Sequence, residues 1–329
     1  MNRSKITVGI TYDLRDDYLA EGYTQEETAE FDKEETIAGI ENTIQKLGFK
    51  TQRIGNIKAL SLKLNEGDRW DIVFNISEGM YGLAREAQVP CLLDAYNIPY
   101  VFSDGLVLAL TLHKGHTKRI IRDAGIPTAP FCEIRNTDDI SKVSLPFPLF
   151  LKPVAEGTGK GIDNRSRVKN MEELESSAKY ILKQFGQPVL VETYLPGREF
   201  TVGVIGSGDE AEAIGIMEIV FQTNDTIYSM DVKENYEKLV KYIVPEPAVA
   251  ELCFRVALDS WRILGCVDGG RVDLRMDDKD IPNFIEVNPL AGLNPVHSDL
   301  PILCRLNGIS YETLMDKIIS ASLKRNKII

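Results

Sequence analysis

Two short stretches in the last fifth of the chain constrain it most. Residues 271–275, Arg-Val-Asp-Leu-Arg, and 283–289, Asn-Phe-Ile-Glu-Val-Asn-Pro, alternate polar and apolar side chains. Period-two alternation bounded by turn residues predicts strands, and successive side chains on a strand point to opposite faces. Arg271, Asp273 and Arg275 are therefore expected on one face, as are Phe284, Glu286 and Asn288. Val272, Leu274, Ile285 and Val287 take the opposite face, which requires a core. Asp277-Asp278-Lys279-Asp280 is a turn signal, so the two strands are predicted to pair as an antiparallel hairpin. Pairing would gather Asp273, Glu286 and Asn288 as three oxygen donors with Arg271 beside them. Hard oxygen donors suit magnesium, which usually also takes substrate phosphates as ligands. A half-solvated hairpin with ordinary surface charges is the alternative.

Upstream, strand-like and helix-like segments alternate. Residues 5–11, 49–54, 70–76 and 98–102 read as strands. Residues 35–47 carry Ile37, Ile40, Ile44 and Leu47 at helical spacing with Gly48 as a stop, and 86–96 reads as a second helix with Pro90 in its first turn. This alternation predicts an open α/β sheet over residues 1–102. The acidic, polar stretch 12–34 is expected to be a long loop or a poorly packed helix. Residues 106–124 form one or two helices carrying Lys114 and Lys118, followed by strands at 146–153 and 189–195 and an amphipathic helix over 171–185. The last part holds strands at 199–204 and 211–220, a polar, mobile-looking segment 222–242, a helix over 248–264 and a closing helix over 311–324. The boundaries expected from this reading are 1–102, 103–195 and 196–329.

Several loops carry candidate chemistry. Glu156-Gly157-Thr158-Gly159-Lys160-Gly161 is glycine-rich, so backbone N–H groups can approach an anion, and Lys160 adds charge. It is not a Walker A loop, because Val154 occupies the place of the first glycine and Gly161 follows the lysine. Lys152, just before it, can reach a phosphate as a point charge. Glu192 and Tyr194 share a strand face, and Glu192 and Glu199 bracket a Pro-Gly turn, where acceptors can hold a base or ribose hydroxyls. Residues 288–298 form a Gly/Pro loop in which His297, Ser298 and backbone N–H groups could hold a carboxylate. Each of these has an ordinary structural explanation when taken singly.

The whole-chain numbers exclude several classes. The 329 residues suffice for two or three domains. A net charge of −11 without a long basic run argues against nucleic acid or anionic membrane as a partner. No stretch of eighteen apolar residues and no leader-like apolar run occur, and five cysteines without a C-x-x-C pair suit reduced thiols in a cytoplasmic protein. Three histidines make a histidine-rich zinc site improbable.

The order of these signals is more specific than any one of them. Lys114, Lys152-Pro153 with Glu156-Gly157-x-Gly159-x-Gly161, Glu192-x6-Glu199, Lys233, Arg271-Val-Asp273 and Glu286-Val-Asn288-Pro289 together resemble the ATP-grasp superfamily, and most closely its D-alanine–D-alanine ligases. The resemblance covers about residues 70–320 and implies an ATP-grasp fold: an open α/β N-terminal domain, then two lobes whose antiparallel sheets clasp ATP. It further implies that Lys114, Lys152 and the glycine loop (Glu156, Gly157, Thr158, Gly159, Gly161) contact phosphates and that Glu192, Tyr194 and Leu195 hold the adenine. Glu199 would hold the ribose and Lys233 the γ-phosphate. Asp273, Glu286 and Asn288 would bind two magnesium ions (or manganese), and Arg271 would stabilise developing charge. The implied reaction phosphorylates a carboxylate and then admits an amine. Small amino-acid-like substrates are the implied partners, and a homodimer is an assembly compatible with this reading.

The departures concern the acceptor half. Gly9-Ile-Thr-Tyr-Asp13 replaces the usual glycine pair of these ligases, and a long acidic insert follows, with Glu35 the nearest candidate for the glutamate that holds the first amino group. Glu78-Gly79 stands where the ligases carry His-Gly, Thr158-Gly159 replaces a serine pair, and Glu234 follows Lys233 in place of a tyrosine. Gly292, His297 and Ser298 complete the expected substrate side. The expectation is a ligase for another carboxylate–amine pair, with a cationic or amine-rich substrate. A true D-alanine–D-alanine ligase and a non-catalytic ATP-binding regulator are the rival readings.

Overall fold

The computed structural model describes residues 3–221 and 240–328. Strands β1 (Thr7–Tyr12), β2 (Lys50–Gly55), β3 (Ile72–Ile76) and β4 (Tyr100–Val101) form a parallel sheet in the order β2-β1-β3-β4. Parallel neighbours need crossovers, supplied between β1 and β4 by α2 (Glu34–Lys46), α3 (Ile57–Glu66) and α4 (Gln88–Ala95). In α2 the isoleucines 37, 40 and 44 fall on one face and are fully buried. Helix α3 was not foreseen, although its signals are present. The Asn56 side chain accepts from the N–H groups of Lys58 and Ala59, and Gly67 ends the helix in the left-handed conformation.

The acidic 12–34 stretch departs from both expectations. It opens with a short helix, α1 (Arg15–Ala20), and continues through turns that pack inward through Tyr18, Thr28 and Phe31, all buried. The Tyr18 and Phe31 rings pack with centroids 4.5 Å apart, tilted by 47° to each other. Two aromatics anchor a segment whose remaining residues are mostly polar, which is why composition alone concealed its order.

Helices α5 (Gly105–Leu112) and α6 (Lys114–Asp123) meet at His113, whose ring nitrogen accepts from the His116 N–H. The next sheet is antiparallel, in the order β5-β8-β6-β7, from β5 (Phe131–Ile134), β6 (Leu149–Pro153), β7 (Arg167–Val168) and β8 (Val189–Thr193). Helix α7 (Met171–Phe185) covers it through Leu174, Ala178 and Ile181. The third sheet, order β11-β10-β9-β12-β13, is also antiparallel: β9 (Glu199–Ile205), β10 (Glu212–Phe221), β11 (Val240–Ile243), β12 (Gly269–Met276) and β13 (Pro282–Asn288). Residues 240–242, expected to be mobile, instead pair with β10 as part of β11, where Tyr242 lies opposite Ile219. Behind this sheet lies α8 (Pro247–Ile263), with Cys253, Ala257 and Trp261 fully buried.

The chain closes on its beginning. After α9 (Asp299–Leu306), helix α10 (Tyr311–Arg325) packs on the first sheet. The Ser322 hydroxyl and the Arg325 guanidinium both donate to the Tyr100 carbonyl, and Arg325 pairs with Asp268 at 2.7 Å. All five cysteines are free thiols, and no helix among the described residues is long and apolar enough to cross a membrane.

Candidate active site

The β12–β13 hairpin forms as expected, with one correction. Arg271 lies opposite Asn288, Val272 opposite Val287 and Asp273 opposite Glu286. The register then shifts, so that Leu274 faces Phe284 and Ile285 is the additional residue of a bulge. Phe284 consequently joins Leu274 and Val287 in the core, whereas Ile285 turns to the cleft. This reverses the faces expected for Phe284 and Ile285 and leaves Asp273, Glu286 and Asn288 together. Arg271 hydrogen-bonds Asp273 and lies 3.9 Å from Asp299 at the start of α9. The Thr201 hydroxyl donates to Asp273 Oδ1 at 2.9 Å.

A narrow cleft of about 110 Å³ runs from this hairpin between the two antiparallel sheets. Its walls include Lys114, Lys152, Glu156, Gly159, Lys160, Glu192, Tyr194, Leu195, Glu199, Asp273 and Glu286. Residues spread over some 170 positions of sequence, proposed singly as phosphate, base and metal contacts, thus converge on one slot. Lys114, the first residue of α6, has its backbone N–H bound to the Val154 carbonyl. Its ammonium donates to the Glu156 carbonyl at 2.6 Å and pairs with Glu286 at 3.3 Å.

In the wall of the slot, Glu192 receives Lys152 at 3.0 Å and, from behind, Lys118 at 2.5 Å. Burial would raise the Glu192 carboxyl, but the two ammonium groups outweigh it and hold it at about 2. The Glu192 side chain therefore fixes two lysines, and Glu199 pairs with Arg275 at 2.9 Å. Lys118 has no exposed surface. Its place at this centre was missed because lysines on helices are ordinarily superficial.

A second, larger cavity of about 710 Å³ adjoins the first, and Lys114 and Glu286 line both. Gly157 and Thr158 face this cavity, while Glu156, Gly159 and Lys160 face the slot, so the glycine loop is a partition. The remaining expected substrate residues, Glu35, Glu78, Gly292, His297 and Ser298, all line the second cavity, together with Arg271 and Asn288. Glu35 stands at its exposed rim. The Ser298 hydroxyl accepts from the Asn294 N–H at 3.0 Å, which braces the loop carrying Gly292. Gly161 is further back, where a side chain would strike Pro153. Lys233 lies outside the described residues.

Eight carboxylates and four cations line the second cavity. Burial, reinforced by Glu30 and Glu286 against Arg85 and Lys114, pushes Glu86 up to about 7. Burial likewise raises Asp32 to about 7, and it raises Glu78 well above the ordinary range, with Glu86 and Glu30 adding to it. Glu30, Asp32 and Glu86 carried no signal that sequence reasoning used, since each is an isolated acid in a polar stretch. A carboxyl raised by folding binds its proton more tightly in the native state, so its contribution is fully present below 4.5 and is lost as pH rises towards 7. Glu86→Gln removes that loss. Thermal unfolding should show the variant more stable by roughly 1–3 kcal/mol at pH 8 and little changed at pH 4.5.

The paired slot and cavity, with antiparallel sheets on either side of the slot, define an ATP-grasp protein. A family model described as D-ala D-ala ligase C-terminus matches residues 120–320. The D-alanine–D-alanine ligase of Bordetella avium is 32% identical over 260 residues, covering 78% of this chain and 79% of the relative. D-alanine–D-alanine ligase A of Escherichia coli K12 is 32% identical over 265 residues, covering 78% and 70%. The crystal structure of the Bacillus anthracis D-alanine–D-alanine ligase complexed with ATP matches with a TM-score of 0.73 at 25% identity, covering 98% of this chain and 99% of that one. This chain belongs to the D-alanine–D-alanine ligase family.

Proposed function

We propose that the protein joins a carboxylate to an amine at the expense of ATP, through an acylphosphate, and that its substrate pair differs from two D-alanines. The observation that carries this reading is the register that sets Asp273 opposite Glu286, with Glu286 at the junction of the slot and the second cavity. In the slot, Lys114 and Lys152 supply cationic groups for phosphates, and Glu192, Tyr194, Leu195 and Glu199 form the walls for base and ribose. Lys233 is assigned to the γ-phosphate by motif order alone.

The donor set at the hairpin fits magnesium. Asp273 and Glu286 offer carboxylates and Asn288 an amide oxygen, while no group of three or more His, Cys, Asp or Glu side chains among the described residues could hold a metal. Such a site suits an ion that draws its remaining ligands from phosphates and water. Two magnesium ions, with manganese as a substitute, would neutralise charge on the transferring phosphoryl group when bound. The chain's own contribution is positioning and fixed charge. Arg271 faces the second cavity beside the hairpin, where it can hold the reacting carboxylate and then the negative charge of its phosphorylated form. The substrate carboxylate oxygen attacks phosphorus and ADP leaves. The amine then attacks the acyl carbon, phosphate leaves, and the ammonium proton is lost.

The acidic second cavity favours a substrate bearing a positive charge beyond the reacting groups, because a bound ammonium relieves the crowding of Glu78, Glu86 and Asp32. The names of the relatives favour the reading as a true D-alanine–D-alanine ligase; the acidic wall, with Glu78 where those ligases carry histidine, opposes it. We place the enzyme in the cytoplasm, acting on small amino-acid-like molecules. The test is phosphate release from MgATP over a panel of amino-acid pairs. The proposal expects release only when carboxylate and amine are both present, and its loss on adding EDTA. Nucleotide binding without turnover across the panel would favour the regulator instead.

A further inference from the structure

The acidic segment does more than wall the second cavity. Glu30 accepts a hydrogen bond from the Gly157 backbone N–H at 2.6 Å, across 127 residues of sequence. Its other oxygen pairs with Arg85 at 2.7 Å, and Arg85 also donates to the Ala155 carbonyl at 2.9 Å. Lys114 takes the Glu156 carbonyl between them. Three consecutive residues, Ala155 and the first two of the glycine loop, are therefore tied through their backbone to three separate parts of the chain. The pair is well enclosed: the Arg85 side chain is 8% exposed and that of Glu30 11%. Burial opposes ionisation of Glu30, but the Arg85 guanidinium and the Gly157 N–H outweigh it and hold the carboxyl below its ordinary range. A charge-assisted pair in a shielded place is stronger than its surface equivalent.

The fit is close. A Cβ on Gly157 would stand 2.9 Å from the Glu30 carboxylate, so any larger residue there would push the acid back from the loop. The opposite face of the same loop, Glu156, Gly159 and Lys160, lines the slot. An N–H that a phosphate-binding loop could have offered to its anion is thus held by an acid from the far side.

We propose that Glu30 is a positioning residue for the nucleotide: with Arg85 it holds the glycine loop from the second cavity, so the acidic segment sets how tightly ATP is bound. This rests on the reading of the slot as the ATP site. It gives the long insert a task in the nucleotide half of the enzyme as well as in the acceptor half.

The test measures binding of the magnesium complex of a non-hydrolysable ATP analogue by calorimetry, with hydrogen exchange over residues 156–161. Glu30→Ala is expected to weaken binding about tenfold or more and to speed exchange of the loop amides. Glu30→Gln keeps an oxygen acceptor for Gly157 but loses the charge, and should fall between. Glu26→Ala, an exposed acid of the same segment, should change neither. Arg85→Lys, which cannot span both oxygens, should weaken binding less when Glu30 is already alanine. A variant that merely loosened the fold would lower the melting temperature without this selective effect. Wild-type protein that fails to bind the analogue would overturn the ATP reading and this proposal with it. Normal wild-type binding with Glu30→Ala unchanged in affinity and exchange would overturn this proposal alone.

Discussion

Arg271→Lys is expected to lower kcat for ligation about 10²–10³-fold while leaving nucleotide affinity nearly unchanged. The guanidinium hydrogen-bonds Asp273 on its own strand and reaches toward Asp299 on α9, a span that a single ammonium cannot reproduce. It lines the second cavity and not the slot, so its loss should fall on the reacting carboxylate and not on ATP. Steady-state kinetics on the amino-acid pair returned by the phosphate-release panel separates the two. A raised KM for ATP with kcat intact would place Arg271 on the nucleotide and contradict the assignment.

Lys118→Met is expected to destabilise the protein by about 3–5 kcal/mol, because it leaves the buried Glu192 carboxylate with one ammonium partner. The acid side of the stability profile should change with it. Glu192 is held at about 2 against an ordinary 4.5, so the stability it contributes is fully present above 4.5 and lost as pH falls towards 2. With Lys118 gone that depression shrinks, and acid unfolding should begin at higher pH. Urea unfolding at pH 7 and a pH series of melting curves measure both. Lys118 also touches the Phe284 carbonyl at 3.3 Å, so it ties the central sheet to the hairpin strand. The variant should therefore lose nucleotide affinity as well as stability.

What could be read from the sequence follows from how local each signal is. The hairpin was legible because period-two alternation and a four-residue acidic turn are properties of neighbours in sequence. Its bulge was not, since Phe284 and Ile285 are both apolar and alternation cannot say which is the additional residue. Helix α2 was legible through Ile37, Ile40 and Ile44. The strands β5 and β7 are short, and their existence depends on partners far along the chain. The lysines of α6 were visible as residues but not as buried charges, because burial depends on Glu192, which arrives several elements later, on β8 of the central sheet. The acidic insert was the least legible. Tyr18 and Phe31 order it, and its contact with Gly157 joins segments whose sequences carry no mark of each other. The glycine loop was singled out by its glycines and Lys160, but only the three-dimensional arrangement shows that its two faces line different cavities.

The central claim is that the ATP half of a D-alanine–D-alanine ligase family member has been kept while its acceptor half has been remade around buried carboxylates. Mass spectrometry of the products formed from MgATP and a mixture of amino acids, D-alanine included, tests it most directly. The account predicts ADP, phosphate and a new amide that incorporates a cationic amino acid or amine. D-alanyl-D-alanine as the main product, formed at a rate typical of an enzyme, would contradict it.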